Sequence, residues 1–292
     1  MADLAKKQWQ YSTLLLLGLT WGSSFILMKQ GLRSFQPIEV ALIRISASFL
    51  FLLPWMIPQY LKIPRKKLKF LLLSGLLGNG IPAVFFCKAP KKILSKVSGI
   101  LKWKTPNFTF LVGGLFFGLL IRRQAVIGLI IGLIGTIYIV YSSNGIGENN
   151  NYIYTILPVV ASLCYGFSSN IIKTHLYDLS PLVVTGGALS FIGPPSVLSL
   201  ILFTDVPKQI VTDSYHLQNF GWLMILGIVG TSLAVLIFNY LIKNTTVLFA
   251  ASVTYLIPIF AMVWGLIFGE SITIHYFISI VVILSGVYIA NK

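Results

Sequence analysis

Two lysines carry the most pointed chemistry in this sequence. Lys102 and Lys104 stand inside an apolar stretch long enough to be a membrane helix, where a central lysine costs about 2.5–3.5 kcal/mol on insertion scales. Lying two residues apart, they point about 200° apart around a helix and cannot share a face. An internal repeat pairs Lys102 with the polar Thr254 and Lys104 with the apolar Leu256. Lys102 is therefore expected to face a cavity, as an electropositive point for anionic solutes. Lys104 is left to snorkel outward. Two alternatives stay open: both lysines reach lipid phosphates without binding a solute, or the stretch belongs to a drifted copy with impaired activity.

Other residues could line such a cavity. Trp103 and Tyr255 coincide in the repeat, and their rings could stack on a flat solute or pack between helices. Asn79, Asn170 and Asn239 are uncharged polar residues within apolar runs; they suit the bundle interior, as solute contacts or as hydrogen bonds between helices. Trp21 and Ser24 are three apart on one helical face, with the same two readings. Together with Lys102 and Thr254 these form the candidate substrate-binding set. Arg44, Pro106 and Pro258 form a gating or structural set: a charge that must find a partner, and two prolines expected to kink their helices. Glu270, at a helix end, reads as a cap or a cytoplasm-facing interaction.

The remaining chemistry is sparse. No nucleophile–base set, zinc motif or phosphate-cradling loop occurs, and His175, His216 and His275 are far apart in sequence. The expectation is a protein that is not an enzyme and uses no cofactor or metal. Cys87 and Cys164 match no metal spacing and read as packing residues. No Asp or Glu lies in the middle of an apolar run. Coupled carriers commonly use such a carboxylate, so the reading leans toward uniport or exchange.

The elements that would position these residues must sit in lipid. Of 292 residues, 56% are hydrophobic and 10% charged, with a mean hydropathy of +0.87; a soluble domain carries about 25% charged residues. The net charge of +15 does not point to nucleic acid, because Lys and Arg sit mainly in short gaps between apolar runs rather than on one polar face. Ten runs are long enough to cross a bilayer: 11–29, 38–58, 68–88, 95–117, 124–142, 152–173, 181–204, 218–242, 246–268 and 273–290.

The chain is written twice. A shift of 152 places Gly75 on Gly227, Gly78 on Gly230, Pro106 on Pro258 and Gly113 on Gly265. A shift of 144 places Gly22 on Gly166, Ser24 on Ser168, Lys29 on Lys173 and Pro37 on Pro181, and a shift of 150 places Tyr138 on Tyr288. The expected layout is a cytoplasmic lead at 1–10, a five-helix unit at 11–142, a linker at 143–151 and a second five-helix unit at 152–290. With the N-terminus inside, the cytoplasmic gaps hold twelve of the Lys and Arg residues and the outer gaps seven, which favours cytoplasmic termini. Five spans per unit turn the second unit over. The expected fold is thus an all-α membrane protein of ten transmembrane helices, built as two inverted five-helix repeats. Such halves can rock around a midplane site.

The motifs now have a likeness. Trp21-Gly22-Ser23-Ser24-Phe25 followed by Pro37 and Arg44, Ser98-Gly99-Ile100-Leu101 followed by Thr105-Pro106, and Tyr255-Leu256-Ile257-Pro258 with Gly269-Glu270 resemble the EamA-type branch of the drug/metabolite transporter superfamily. The resemblance covers nearly the whole chain. It implies a permease or exporter of small organic metabolites, with a cavity lined mainly by spans one, three, four, six, eight and nine. It also supports a structural role for Arg44. Lys88, Lys96, Lys102 and Lys104 depart from the family pattern. The expected partners are a small-molecule substrate and the lipid bilayer of a bacterial inner (plasma) membrane, with monomer and homodimer both open. The other readings are an anionic-metabolite exchanger or facilitator that uses Lys102, and a non-transporting scaffold or receptor.

Overall fold

In lipid no water is present to satisfy a backbone N–H or C=O, so an apolar run closes its hydrogen bonds within itself, as a helix. The computed structural model describes residues 7–88, 105–119, 123–142, 153–267 and 274–290. Among them every regular element is helical. The first part contains α1 (Lys7–Gly31), α2 (Pro37–Met56), α3 (Arg65–Gly75), α4 (Ile81–Lys88), α5 (Thr105–Phe116) and α6 (Arg123–Ser142). The second contains α7 (Ile153–His175), α8 (Pro181–Phe203), α9 (Val206–Thr212), α10 (Ser214–Gly227), α11 (Ala234–Asn244), α12 (Val247–Ala251), α13 (Val253–Ile267) and α14 (Ile274–Ala290). Among the described residues, five helical stretches are long and apolar enough to cross a membrane: Lys7–Gly31, Pro37–Lys62, Arg65–Phe85, Pro181–Phe203 and Ser214–Asn244. Shorter apolar stretches lie at Val126–Gly135, Val247–Ala261 and Phe277–Gly286.

Local signals set the helix starts. Ser180 accepts a hydrogen bond from the Val183 amide, and Pro181 opens α8, where its missing N–H costs nothing. Asp213 accepts from the Tyr215 amide at the start of α10, and Thr246 from the Phe249 amide at the start of α12. The short helix α9, in the connection after α8, has no counterpart among the ten expected runs. The stretch expected as one run at 246–268 is interrupted at Ser252, between α12 and α13. Helix α13 then continues unbroken through Pro258.

Among the described residues, two π-helical turns break the α-helical register: Leu76–Gly80, between α3 and α4, and Ile228–Leu233, between α10 and α11. Under the 152-residue shift, the start of one falls on the start of the other. Single π turns inside α-helices occur frequently at functional sites.

The packing is exchanged between the two parts. Helix α1 lies against α13 and α7 against α5, while α2 packs on α8 and α6 on α14. Glycines make the crossings close. A Cβ at Gly22 would lie 3.2 Å from the Ala261 amide nitrogen, and one at Gly166 would lie 2.9 Å from the Thr109 amide nitrogen. At Gly227 a Cβ would lie 2.8 Å from the Arg44 carbonyl, and at Gly75 it would fall on the Ala188 carbonyl. Shifts of 144 and 152 carry each contact onto its mate. With lipid outside, helices associate through such close packing rather than through a hydrophobic drive.

Candidate functional site

A cavity open to its surroundings lies between the two parts of the chain. Its wall takes Trp21 from α1, Arg44 from α2, Asn79 from the first π turn, Asn239 from α11 and Thr254 from α13. Four of the residues expected to bind substrate are therefore brought together, and Arg44 from the gating or structural set joins them. Lys102 and Trp103 lie outside the described residues.

The other expected residues sit elsewhere. Ser24 is buried at a helix crossing; its hydroxyl donates back to the Thr20 carbonyl, and a Cβ at Gly230 would lie 2.9 Å from it. Asn170 is fully buried and donates to the carbonyls of Thr109 and Gly166, both at 2.8 Å, which ties α7 to α5. Tyr255 is buried with its ring against Gly132 of α6. Pro106 is buried within α5.

The placed groups are held firmly. The Trp21 indole donates to the Gly230 carbonyl at 3.0 Å, in the second π turn, and its ring meets Phe238 edge-on at 5.3 Å. Arg44 is half-buried, and its Nε donates to the Thr231 hydroxyl at 2.6 Å in the same turn. Asn239 donates to the Thr185 hydroxyl at 2.9 Å, while its buried carbonyl oxygen has no hydrogen-bond partner. Thr254 donates to the Ala251 carbonyl.

Residues that the motifs did not single out complete the wall. Tyr165, Ser168 and Ser169 come from α7, Thr185 from α8 and Ser74 from α3. The repeat itself points to two of them, since Tyr165 and Ser168 are the mates of Trp21 and Ser24 under the shift of 144. Most of the wall is apolar surface or neutral hydroxyl and amide. Arg44 is its one formal charge among the described residues, and the described carboxylates Glu39, Asp178, Asp205 and Asp213 all lie off the wall. Such an arrangement can enclose and orient a small solute by hydrogen bonds and ring contacts.

Lysines knit one end of the bundle. Lys67 donates to Asp178 and to the His175 carbonyl, both at 2.7 Å, and Phe70 stacks on His175 at 4.0 Å. The hydrogen bond from Lys67 is the main cause that holds the Asp178 carboxyl below its ordinary range. Lys173 reaches the carbonyls of Ile242, Lys243 and Thr245 at the C-terminus of α11, and Lys243 reaches the Leu179 carbonyl. The three partners of Lys173 lie at a helix end, where cations satisfy the carbonyls well.

The sequence profile of the EamA-like transporter family matches residues 8–141 and again 153–292. The chain is 26% identical over 260 residues to the "Uncharacterized inner membrane transporter YedA" of Escherichia coli strain K12, spanning 87% of this chain and 81% of the relative. It is 24% identical over 274 residues to an "Uncharacterized transporter" of Archaeoglobus fulgidus, spanning 93% and 95%. A solved crystal structure superposes with a TM-score of 0.73 at 17% identity, covering 98% of this chain and 97% of the other. That likeness speaks for the fold alone.

Proposed function

The chain belongs to the EamA-like transporter family, and from that premise we propose that it is a permease or exporter carrying small organic metabolites by alternating access. It is an integral membrane transporter; the proposal adds the solute class and the mechanism. Amino-acid-like or drug-like solutes suit a cavity whose wall mixes rings with neutral donors and acceptors.

One observation carries the reading: the cavity lies where the two parts of the chain meet, and both parts build its wall. Sites of this kind, at a repeat interface beside interrupted helices, are where rocking halves expose a solute first to one side and then to the other. The matched π turns and the exchanged packing of α1 on α13 and α7 on α5 support the same view. We extend it to ten spans in two inverted units, 11–142 and 152–290, with the lead 1–10 and both termini in the cytoplasm. A bacterial inner membrane is the proposed location, in keeping with the Escherichia coli relative.

The test is solute uptake by the purified full-length chain in liposomes, across a panel of neutral, anionic and cationic metabolites. Uptake of at least one solute well above that of protein-free liposomes, saturable and competed by its analogues, is the expected result. Binding without accelerated flux of any solute would mean a receptor or scaffold, and the proposal would fall.

A further inference from the structure

A guanidinium inside a membrane bundle needs a reason. It stays charged at any attainable pH, and burying it costs several kcal/mol unless something answers the charge. Among the described residues no carboxylate does. The Arg44 Nε holds the Thr231 hydroxyl, a neutral group, at 2.6 Å, and the residue stands on the cavity wall.

The repeat shows that the architecture does not require an arginine there. Under the shift of 144, Arg44 falls on Ala188, and both residues line the cavity. The two positions do the same packing work: Gly227 crosses the backbone at Arg44, and Gly75 crosses the backbone at Ala188. One crossing is made with a methyl side chain and the other with a guanidinium. A structural role would be met by alanine twice, so the charge is an addition to one side of the cavity.

We infer that Arg44 is the recognition point for the carboxylate of a monoanionic organic solute. This rests on the transport reading above and names its substrate class. With Nε tied to Thr231, the plane of the guanidinium is set, and its remaining donors can meet a carboxylate in the two-pronged geometry that arginine provides. Trp21 and Phe238, already in edge-on contact, offer a ring surface for the body of the solute. The Asn239 carbonyl oxygen, buried without a partner, can accept from a hydroxyl or N–H on it. The charges also select. A single positive group balances a single negative one, a dianion would bring an unanswered charge, and a cation would meet repulsion with no carboxylate on the described wall to offset it.

The experiment uses the purified full-length chain and a set of monocarboxylates from acetate to benzoate, each with its matching amide and amine. Ligand-induced thermal stabilisation is measured for wild type, Arg44→Gln and Arg44→Lys, each first checked for a single gel-filtration peak. Carboxylates should stabilise the wild type while their amides and amines do not. Arg44→Gln should weaken this by about tenfold or more in midpoint concentration, as expected for losing a hydrogen bond to a charged group. Arg44→Lys should keep part of it. Equal responses to acid, amide and amine, no response to any acid, or an unchanged response in Arg44→Gln would overturn the inference. If Arg44→Gln does not yield a single peak, Arg44→Lys carries the test: a weakened response to the acids supports the inference, and an undiminished one overturns it, as does a wild type that fails to discriminate. The liposome panel separates the two claims. Flux of neutral or cationic solutes that is indifferent to Arg44→Gln keeps the transporter and removes the anion site. Arg44-dependent carboxylate binding without any flux keeps the site and removes the transporter.

Discussion

The crossing of α10 over α2 gives a prediction whose size follows from distances. An added methyl at Gly227 would place its carbon 2.6 Å from the Ala47 Cβ and 2.8 Å from the Arg44 carbonyl oxygen. Carbon pairs pack best at about 3.5–4.0 Å, so the two helices must part by about 1 Å. Neither obstacle is a side chain that can rotate away. Overpacking of this kind costs about 1–3 kcal/mol, partly offset by about 1 kcal/mol from the better helix propensity of alanine. Gly221 lies six residues earlier in the same helix, and a Cβ there meets nothing within 4 Å. Gly221→Ala should therefore gain up to about 1 kcal/mol while Gly227→Ala loses up to about 2 kcal/mol. At about 2 cal/mol/K of unfolding entropy per residue, the resulting gap of about 1–3 kcal/mol corresponds to roughly 2–5 °C for a chain of this size. Thermal melts of both variants at one scan rate measure it directly, and Gly227→Ala should also lower uptake because it displaces Arg44 from Thr231. A Gly227→Ala protein that melts at or above Gly221→Ala would refute the close-crossing argument.

Three further outcomes are expected. Trp21→Phe removes the indole hydrogen bond to the Gly230 carbonyl while keeping the ring contact with Phe238; stability should fall by about 1 kcal/mol, read by thermal melts, with reduced uptake. Lys173→Met leaves three carbonyls at the end of α11 without their donor, and a loss of about 1–3 kcal/mol is expected in the same assay. The Lys67–Asp178 pair tests pH dependence. The Asp178 carboxyl is held below its ordinary range, chiefly by the Lys67 hydrogen bond. Its contribution is therefore full above that range and lost as pH falls through the lowered value. The carboxylate side chain is 44% exposed, so the pair is worth under about 1 kcal/mol. Asp178→Asn should melt slightly below wild type at pH 7, and the difference should vanish in acid.

Glycine made much of the fold legible in the sequence. Where two backbones touch, a Cβ cannot be present, so a repeated crossing leaves a repeated glycine: Gly75 and Gly227 mark one pair of crossings, Gly22 and Gly166 another. The helical class followed from apolar length alone, because lipid permits few alternatives. The π turns were not legible. Leu76–Gly80 and Ile228–Leu233 continue apolar runs, and the repeated glycines Gly78 and Gly230 within them mark close packing without announcing a change of helical register.

The candidate site was only partly legible for a related reason. Polar residues in an apolar run announce that they are buried in the bundle but not which neighbour they face. Asn79 and Asn239 reach the cavity, whereas Asn170 spends its donors on the backbones of α5 and α7. Ser24 and its mate Ser168 occupy matched crossings, yet only Ser168 is on the wall. Arg44 read as a structural residue on the family resemblance; its partner, the Thr231 hydroxyl, lies 187 positions away and was not visible in the sequence. Its contrast with Ala188 becomes informative once both are seen to line one cavity.

The central claim is that solute passes through this cavity and that it opens to each side in turn. The direct measurement is on Ser169, buried on the wall, as Ser169→Cys with Cys87 and Cys164 replaced by serine. A membrane-impermeant maleimide is applied to oriented liposomes from one face or the other while uptake is followed. Modification from either face, with loss of uptake in both cases, is the predicted result. Modification from one face alone under every solute condition, or full uptake after complete modification, would contradict the account.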